Sequence, residues 1–162
     1  MPTLRLRAMR KADLSWVAQA ERQLFSAEAW SPQLLASELD AMESLDDRIY
    51  VVAEVDAAMA GYAGVWLGDS ADVLTIATLP HFRRQGVGRA LLNALLDAAA
   101  ERECEAVLLE VRASNDGAIA LYKEAGFKAI AKRRAYYTHP REDAVVMRKK
   151  LAAGLFSKSR VP

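Results

Sequence analysis

Cysteine is nearly absent from this chain of 162 residues: Cys104 stands alone, so no disulfide within the chain can staple the fold. Histidine is almost as scarce. His81 and His139 lie far apart and share no ligand spacing with each other or with Cys104, so no metal site is expected. No charge sign prevails: 22 Lys and Arg stand against 21 Asp and Glu, a formal net charge of +1, and that total calls for neither a nucleic-acid backbone nor an anionic membrane as partner. From Met1 to Leu14 there is no long apolar run of the kind that makes a signal peptide or a spanning helix, which with the lone cysteine leads to the expectation of a cytoplasmic protein. Repeats and low-complexity runs are missing too. What is present suffices for a core: 52% of the residues are hydrophobic and 27% charged. The expected organisation is a single domain over residues 1–151 and a flexible tail, 152–162, where periodicity gives way to Ser, Lys and Arg.

Thr3-Leu4-Arg5-Leu6-Arg7 alternates as a strand does, and Asp13 is placed to cap a helix carrying Leu14, Val17, Ala20 and Leu24 at helical spacing. Ser31 before Pro32 reads as an N-cap and first helical residue, with Leu35 and Leu39 as the apolar stripe behind them. Residues 48–55 and 61–67, joined through a turn at Asp56, predict a hairpin, and 73–78 a third strand. Helix and strand then alternate: helix 88–101, strand 106–111, helix 115–125, strand 127–132 and a last strand 144–151. The pattern is that of a mixed α/β sheet with helices on its faces.

Between the strand ending at Thr78 and the next helix lies Arg83-Arg84-Gln85-Gly86-Val87-Gly88-Arg89. Glycine lets the backbone approach a ligand, and the N–H groups and positive dipole end of the helix favour a diphosphate. Leu91, Leu92, Leu95, Leu96 and Ala99 form the apolar face of that helix, and Arg89, Asn93, Asp97 and Glu101 its polar stripe. Such a turn can also do no more than start a helix. The dinucleotide fingerprint does not fit, because Leu91 stands where its third glycine belongs, and there is no G-x-x-x-x-G-K-[ST] run.

Arg83 to Gly88 resembles the Q/R-x-x-G-x-G/A signature of the GNAT acetyltransferase superfamily. Leu109-Glu110-Val111-Arg112-Ala113-Ser114-Asn115, followed by Ala118-Ile119-Ala120-Leu121-Tyr122 and Gly126-Phe127, resembles its RimI-type ribosomal-protein alanine N-acetyltransferases. So do Arg133-Arg134, Tyr136-Tyr137 and Arg141-Glu142-Asp143-Ala144 with Met147; the likeness spans most of 49–151, and Trp30-Ser31 resembles the tryptophan of an early substrate loop. The resemblance implies a GNAT fold, a mixed and mostly antiparallel central sheet with helices on both faces. It implies acetyl-CoA as co-substrate without a metal, held by Ile76, Ala77, Thr78, Arg83, Arg84, Gln85, Gly86, Val87, Gly88, Arg89 and Asn115. It makes Glu110 the general base and Tyr122 the general acid, and it brings Trp30, Tyr136 and Tyr137 to the acceptor. One departure stands out: Ile76-Ala77-Thr78-Leu79-Pro80 replaces the usual I-A-V-D-P. Main-chain contacts survive the threonine, but nothing in the sequence accounts for the acid missing at Leu79.

Moving an acetyl group from a thioester to an amine needs a neutral amine and a proton for the leaving thiolate. Glu110 is the one acid in the otherwise apolar stretch Val107-Leu108-Leu109-Glu110-Val111, which suits a base and equally suits an ordinary edge glutamate. Neutralising an α-amine at pH 7 costs only about 1 kcal/mol, against about 4 to 5 kcal/mol for lysine, so a single carboxylate is adequate for an N-terminus. Tyr122 suits an acid that stays protonated at neutral pH, or plain packing beside Ile119. Asn115 also reads as a helix cap and Gly126 as a helix-ending glycine. Cys104 lacks a histidine neighbour and reads as structural. Arg133-Arg134 and Arg148-Lys149-Lys150 read as solvated strand ends, and Glu28, Glu43, Asp46, Asp47, Glu142 and Asp143 as candidate contacts to a basic acceptor.

The partner implied is a protein or peptide N-terminus, that of a ribosomal protein beginning with alanine, with no direct nucleic acid and no membrane, and the chain is expected to be a monomer or weak homodimer. Two alternatives stay open: transfer to lysine side chains, small amines or polyamines, and a non-catalytic acyl-CoA-binding module.

Overall fold

A computed structural model describes residues 2–151; the stretch read above as a tail, 152–162, lies outside the described residues. Contacts divide the chain into two units, the first reaching to Trp66 and including Leu74–Leu95, the second formed by Leu67–Val73 and the chain from Leu96 onward.

The first unit begins with β1 (Leu4–Ala8), α1 (Leu14–Phe25) and α2 (Pro32–Leu45), followed by β2 (Arg48–Val55) and β3 (Ala58–Leu67). The strand pattern at the N-terminus holds, with Leu4 opposite Val55 and Ala8 opposite Val51 in an antiparallel pair. Asp56 and Ala57 make the β2–β3 turn at φ 49° and 69°, the paired left-handed conformation of a tight hairpin. The cap of α2 is as expected: Ser31 Oγ accepts from the Leu34 N–H at 3.0 Å. That of α1 is not. Asp13 closes a short 3₁₀ turn instead; its carboxylate accepts from the Arg10 N–H at 2.7 Å and from Arg7 Nη1 and Nη2, both at 2.9 Å. A guanidinium on β1 outcompetes the helix amides because charge-assisted, two-point bonding is stronger than a neutral cap.

The core of this unit collects Val17, Ala20, Leu35, Leu39, Tyr50, Val52, Tyr62 and Ala77, with Leu14, Leu24, Trp30 and Leu79 packed against it. Full burial of each large apolar side chain contributes about 1.5 to 3 kcal/mol. Leu79 therefore has a use where the family pattern has an acid: it covers the core, while its N–H bonds Ala60 O at 2.9 Å. Glu21, 2% exposed, buries its carboxyl against this core, where it accepts from the Trp30 N–H at 2.9 Å and from the Tyr62 hydroxyl. Burial pushes its pKa up, because both donors are neutral.

β4 (Ala71–Thr78) and α3 (Val87–Glu101) run through both units. The second unit continues with β5 (Ala106–Arg112), α4 (Asp116–Glu124), β6 (Lys128–Thr138) and β7 (Arg141–Lys150). The strand order is β1-β2-β3-β4-β5-β7-β6. β4 and β5 pair in parallel, whereas β5–β7 and β6–β7 are antiparallel, which makes the sheet mixed. β6 is longer than its expected end at Lys132. It carries on through Arg133, Tyr136 and Tyr137 by way of a bulge, the register jumping from Arg133 opposite Ala144 to Tyr137 opposite Glu142. Residues 134–136 face Asp143 alone, whose Oδ1 accepts from the Ala135 N–H at 2.9 Å.

Candidate functional site

In the first unit, the chain leaves β4 through a short 3₁₀ turn at Pro80–Phe82 and enters α3 through two residues with left-handed backbone, Arg84 at φ 63° and Gly86 at φ 81°. Gly86 has open space around it, so glycine is required there for the backbone angle rather than for room. The Ala90 N–H bonds Gly86 O at 3.0 Å, leaving the amides of Val87 and Gly88 ahead of the first helical bond and without an intrahelical acceptor. Val87 is buried, while Arg83, Arg84, Gln85 and Arg89 are exposed. Oriented amides, the helix dipole and flanking cations make a turn that fits a diphosphate. Ile76 and Thr78 are half-buried on β4 and Ala77 is buried.

In the second unit, β5 carries Glu110 between buried Leu109 and Val111, its side chain 32% exposed. Arg133 stays exposed and crosses from β6, with Nη1 at 3.1 Å from both Glu110 oxygens and its guanidinium 5.0 Å from the Tyr136 ring centre. Asp72 on β4 lies within Glu110's field; its pKa is pushed up, first by partial burial and then by that charge. Tyr122 on α4 is 5% exposed and packs against Phe127 with ring centres 5.9 Å apart. Burial, and secondarily Tyr137, pushes its phenol up to about 12, so it stays protonated across the neutral range. Tyr137 is half-buried and feels both Tyr136 and Glu110; Arg112 lies 4.2 Å over its ring.

Other expected residues serve the frame. Asn115 Oδ1 accepts from the Ala118 N–H at 3.2 Å, the capping role. Trp30 is half-buried and meets Tyr50 edge to face, rings 6.3 Å apart, so it is anchored on the first unit's core. The proposed acidic contacts are partly engaged within the chain: Asp47 bonds Arg48 and Trp66, Glu142 bonds Arg112 and the Ser114 N–H, and Asp143 pins the β6 bulge. Cys104 is buried and its thiol donates to Gly68 O at 3.3 Å. Among the described residues no helix is long and apolar enough to cross a membrane. Sequence reasoning missed the engagement of Arg133 and Asp72 with Glu110, since each is brought there only by strand pairing.

Residues 13–127 match the acetyltransferase (GNAT) family. The N-alpha-acetyltransferase RimI of Mycobacterium tuberculosis is 37% identical over 148 residues, covering 88% of this chain and 89% of that protein. The crystal structure of the ribosomal-protein-S18-alanine N-acetyltransferase from Escherichia coli superimposes with a TM-score of 0.79 at 33% identity, covering 91% of this chain and 94% of the other. That of Ard1 from Thermoplasma volcanium does so at 0.78 and 28%, covering 91% and 97%. By sequence and by fold the chain belongs to the acetyltransferase (GNAT) family, in its RimI-type branch.

Proposed function

We propose that this enzyme transfers an acetyl group from acetyl-CoA to the α-amine of a protein N-terminus, an alanine-ended ribosomal protein being the acceptor that the names of its relatives suggest. The observation that carries the reading is an exposed carboxylate, Glu110, and a buried, protonated phenol, Tyr122, in one unit of the fold. The coenzyme, when bound, supplies an activated acyl group on a thiol leaving group. The turn from Arg83 to Arg89 holds its diphosphate through backbone amides and cationic side chains, and Ile76, Ala77 and Thr78 offer β4 main chain to its acyl arm. Glu110 takes a proton from the acceptor nitrogen as the C–N bond forms, directly or through water. Tyr122 gives its hydroxyl proton to sulfur as the C–S bond breaks, and the phenol regains a proton from solvent, to which Glu110 returns its own. Amide and thiol result, with the enzyme unchanged. Tyr136, Tyr137 and Trp30 are the acceptor-side residues of this reading.

The test is mass spectrometry of peptides incubated with the full chain and acetyl-CoA. Alanyl N-termini should gain acetyl on the α-nitrogen, while peptides blocked there but bearing lysine, and spermidine, should react far more slowly. Preferential labelling of lysine or spermidine would overturn the α-amine assignment.

A further inference from the structure

Arg133 does something unusual for a residue on the outermost strand of a sheet. It reaches over β7 to a carboxylate on the strand beyond, with Arg133 registered opposite Ala144 and Glu110 opposite Val146. The acids on the adjoining strand are already engaged: Glu142 by Arg112 and the Ser114 N–H, Asp143 by the Ala135 N–H. The bulge begins at Arg133 itself, where Ala135 takes a left-handed φ of 51°, and bulges re-aim the side chains beside them. At 55% side-chain exposure the ion pair adds little to stability, so a fold-holding role does not explain it.

We propose that Arg133 is a positioning residue of the acceptor site, occupying the Glu110 carboxylate so that the acceptor does not settle there as an ammonium ion. The proposal rests on Glu110 being the base. A bare carboxylate would bind the protonated amine, a ground-state contact that must be given up before a neutral nitrogen can attack; such binding tightens the complex and slows the step. Asp72 from β4 and Tyr137 from β6 also feel the charge of Glu110, and neither is a cation. Arg133 is the cation that meets Glu110 at hydrogen-bond distance, with Nη1 3.1 Å from both of its oxygens.

The test is steady-state kinetics of the full chain with an alanyl peptide and acetyl-CoA. In Arg133→Met, KM for the peptide and kcat should both fall by about two- to fivefold, leaving kcat/KM almost unchanged, with KM for acetyl-CoA as in the parent. Arg133→Lys, which keeps a cation, should stay close to the parent, and the difference between Met and parent should shrink in about 1 M salt. A rise in the peptide KM, or no change in either constant, would overturn the proposal. Glu110→Gln run in parallel keeps the two ideas apart: parental kcat there defeats the base assignment, whereas its collapse beside a silent Arg133→Met defeats the Arg133 proposal alone.

Discussion

Tyr122 owes its proton to its surroundings. At 5% exposure a phenolate has lost most of its hydration, and the nearby Tyr137 adds no charge to compensate, so the group is pushed up to about 12. Tyr122→Phe keeps the ring against Phe127 but removes the proton, and kcat should fall by about 10² to 10⁴ with an unchanged melting temperature. Glu110→Gln should cost a similar factor. An acid donor works while protonated, so kcat of the parent should show no loss from Tyr122 as pH rises to about 10, which a rate profile with phenylalanine as control would check. Glu110 could be picked out from sequence because it interrupts an apolar strand. Its partner Arg133 could not, because 23 positions separate them and only the pairing of β5 with β7 and of β7 with β6 brings them together.

Helix α4, which carries Tyr122, ends in a motif readable in advance from one glycine. The Phe127 N–H bonds Tyr122 O at 2.9 Å and the Gly126 N–H bonds Lys123 O at 3.0 Å, with Gly126 at φ 102° and Phe127 packed back on Tyr122. Gly126→Ala forces a side chain into that backbone region and toward Lys149 Nζ, and should lower stability by about 1 to 2 kcal/mol in urea unfolding. The junction of β1 and α1 went the other way. Asp13 has the look of a cap in sequence, but its carboxylate is claimed by Arg7, whose guanidinium holds it below the ordinary carboxylate range. A depressed acid contributes stability above its unfolded pKa of about 3.9, and that contribution is lost as pH falls through the lower folded value. Asp13→Asn should therefore destabilise at pH 7 by about 2 kcal/mol and unfold with a shallower dependence on pH below about 4, as denaturant titrations across pH would show. β6 runs past Lys132 for a related reason: β7 and Asp143 supply the bonds that hold the basic and aromatic residues after it as a bulged strand.

Across the whole molecule, the single thiol reports on opening of the fold. Cys104 is 1% exposed and burial pushes its pKa up, so both access and thiolate formation are suppressed. Native protein should resist iodoacetamide and label fully in denaturant, with labelling in between following the unfolded fraction; rapid native labelling would contradict the packing described. The amino-acid sequence by itself determined the elements and the chemistry on offer. Local periodicity, Ser31 before Pro32, the glycines at 86 and 126 and the acid inside β5 are all near-neighbour matters, governed by backbone angles and by which faces must leave water. Only the tertiary structure decided which charges neutralise which. Strand pairing brings Arg112 to Glu142 and Arg133 to Glu110, the chain turning after β1 brings Arg7 to Asp13, and in each case Coulomb energy depends on the separation of about 3 Å rather than on distance along the chain.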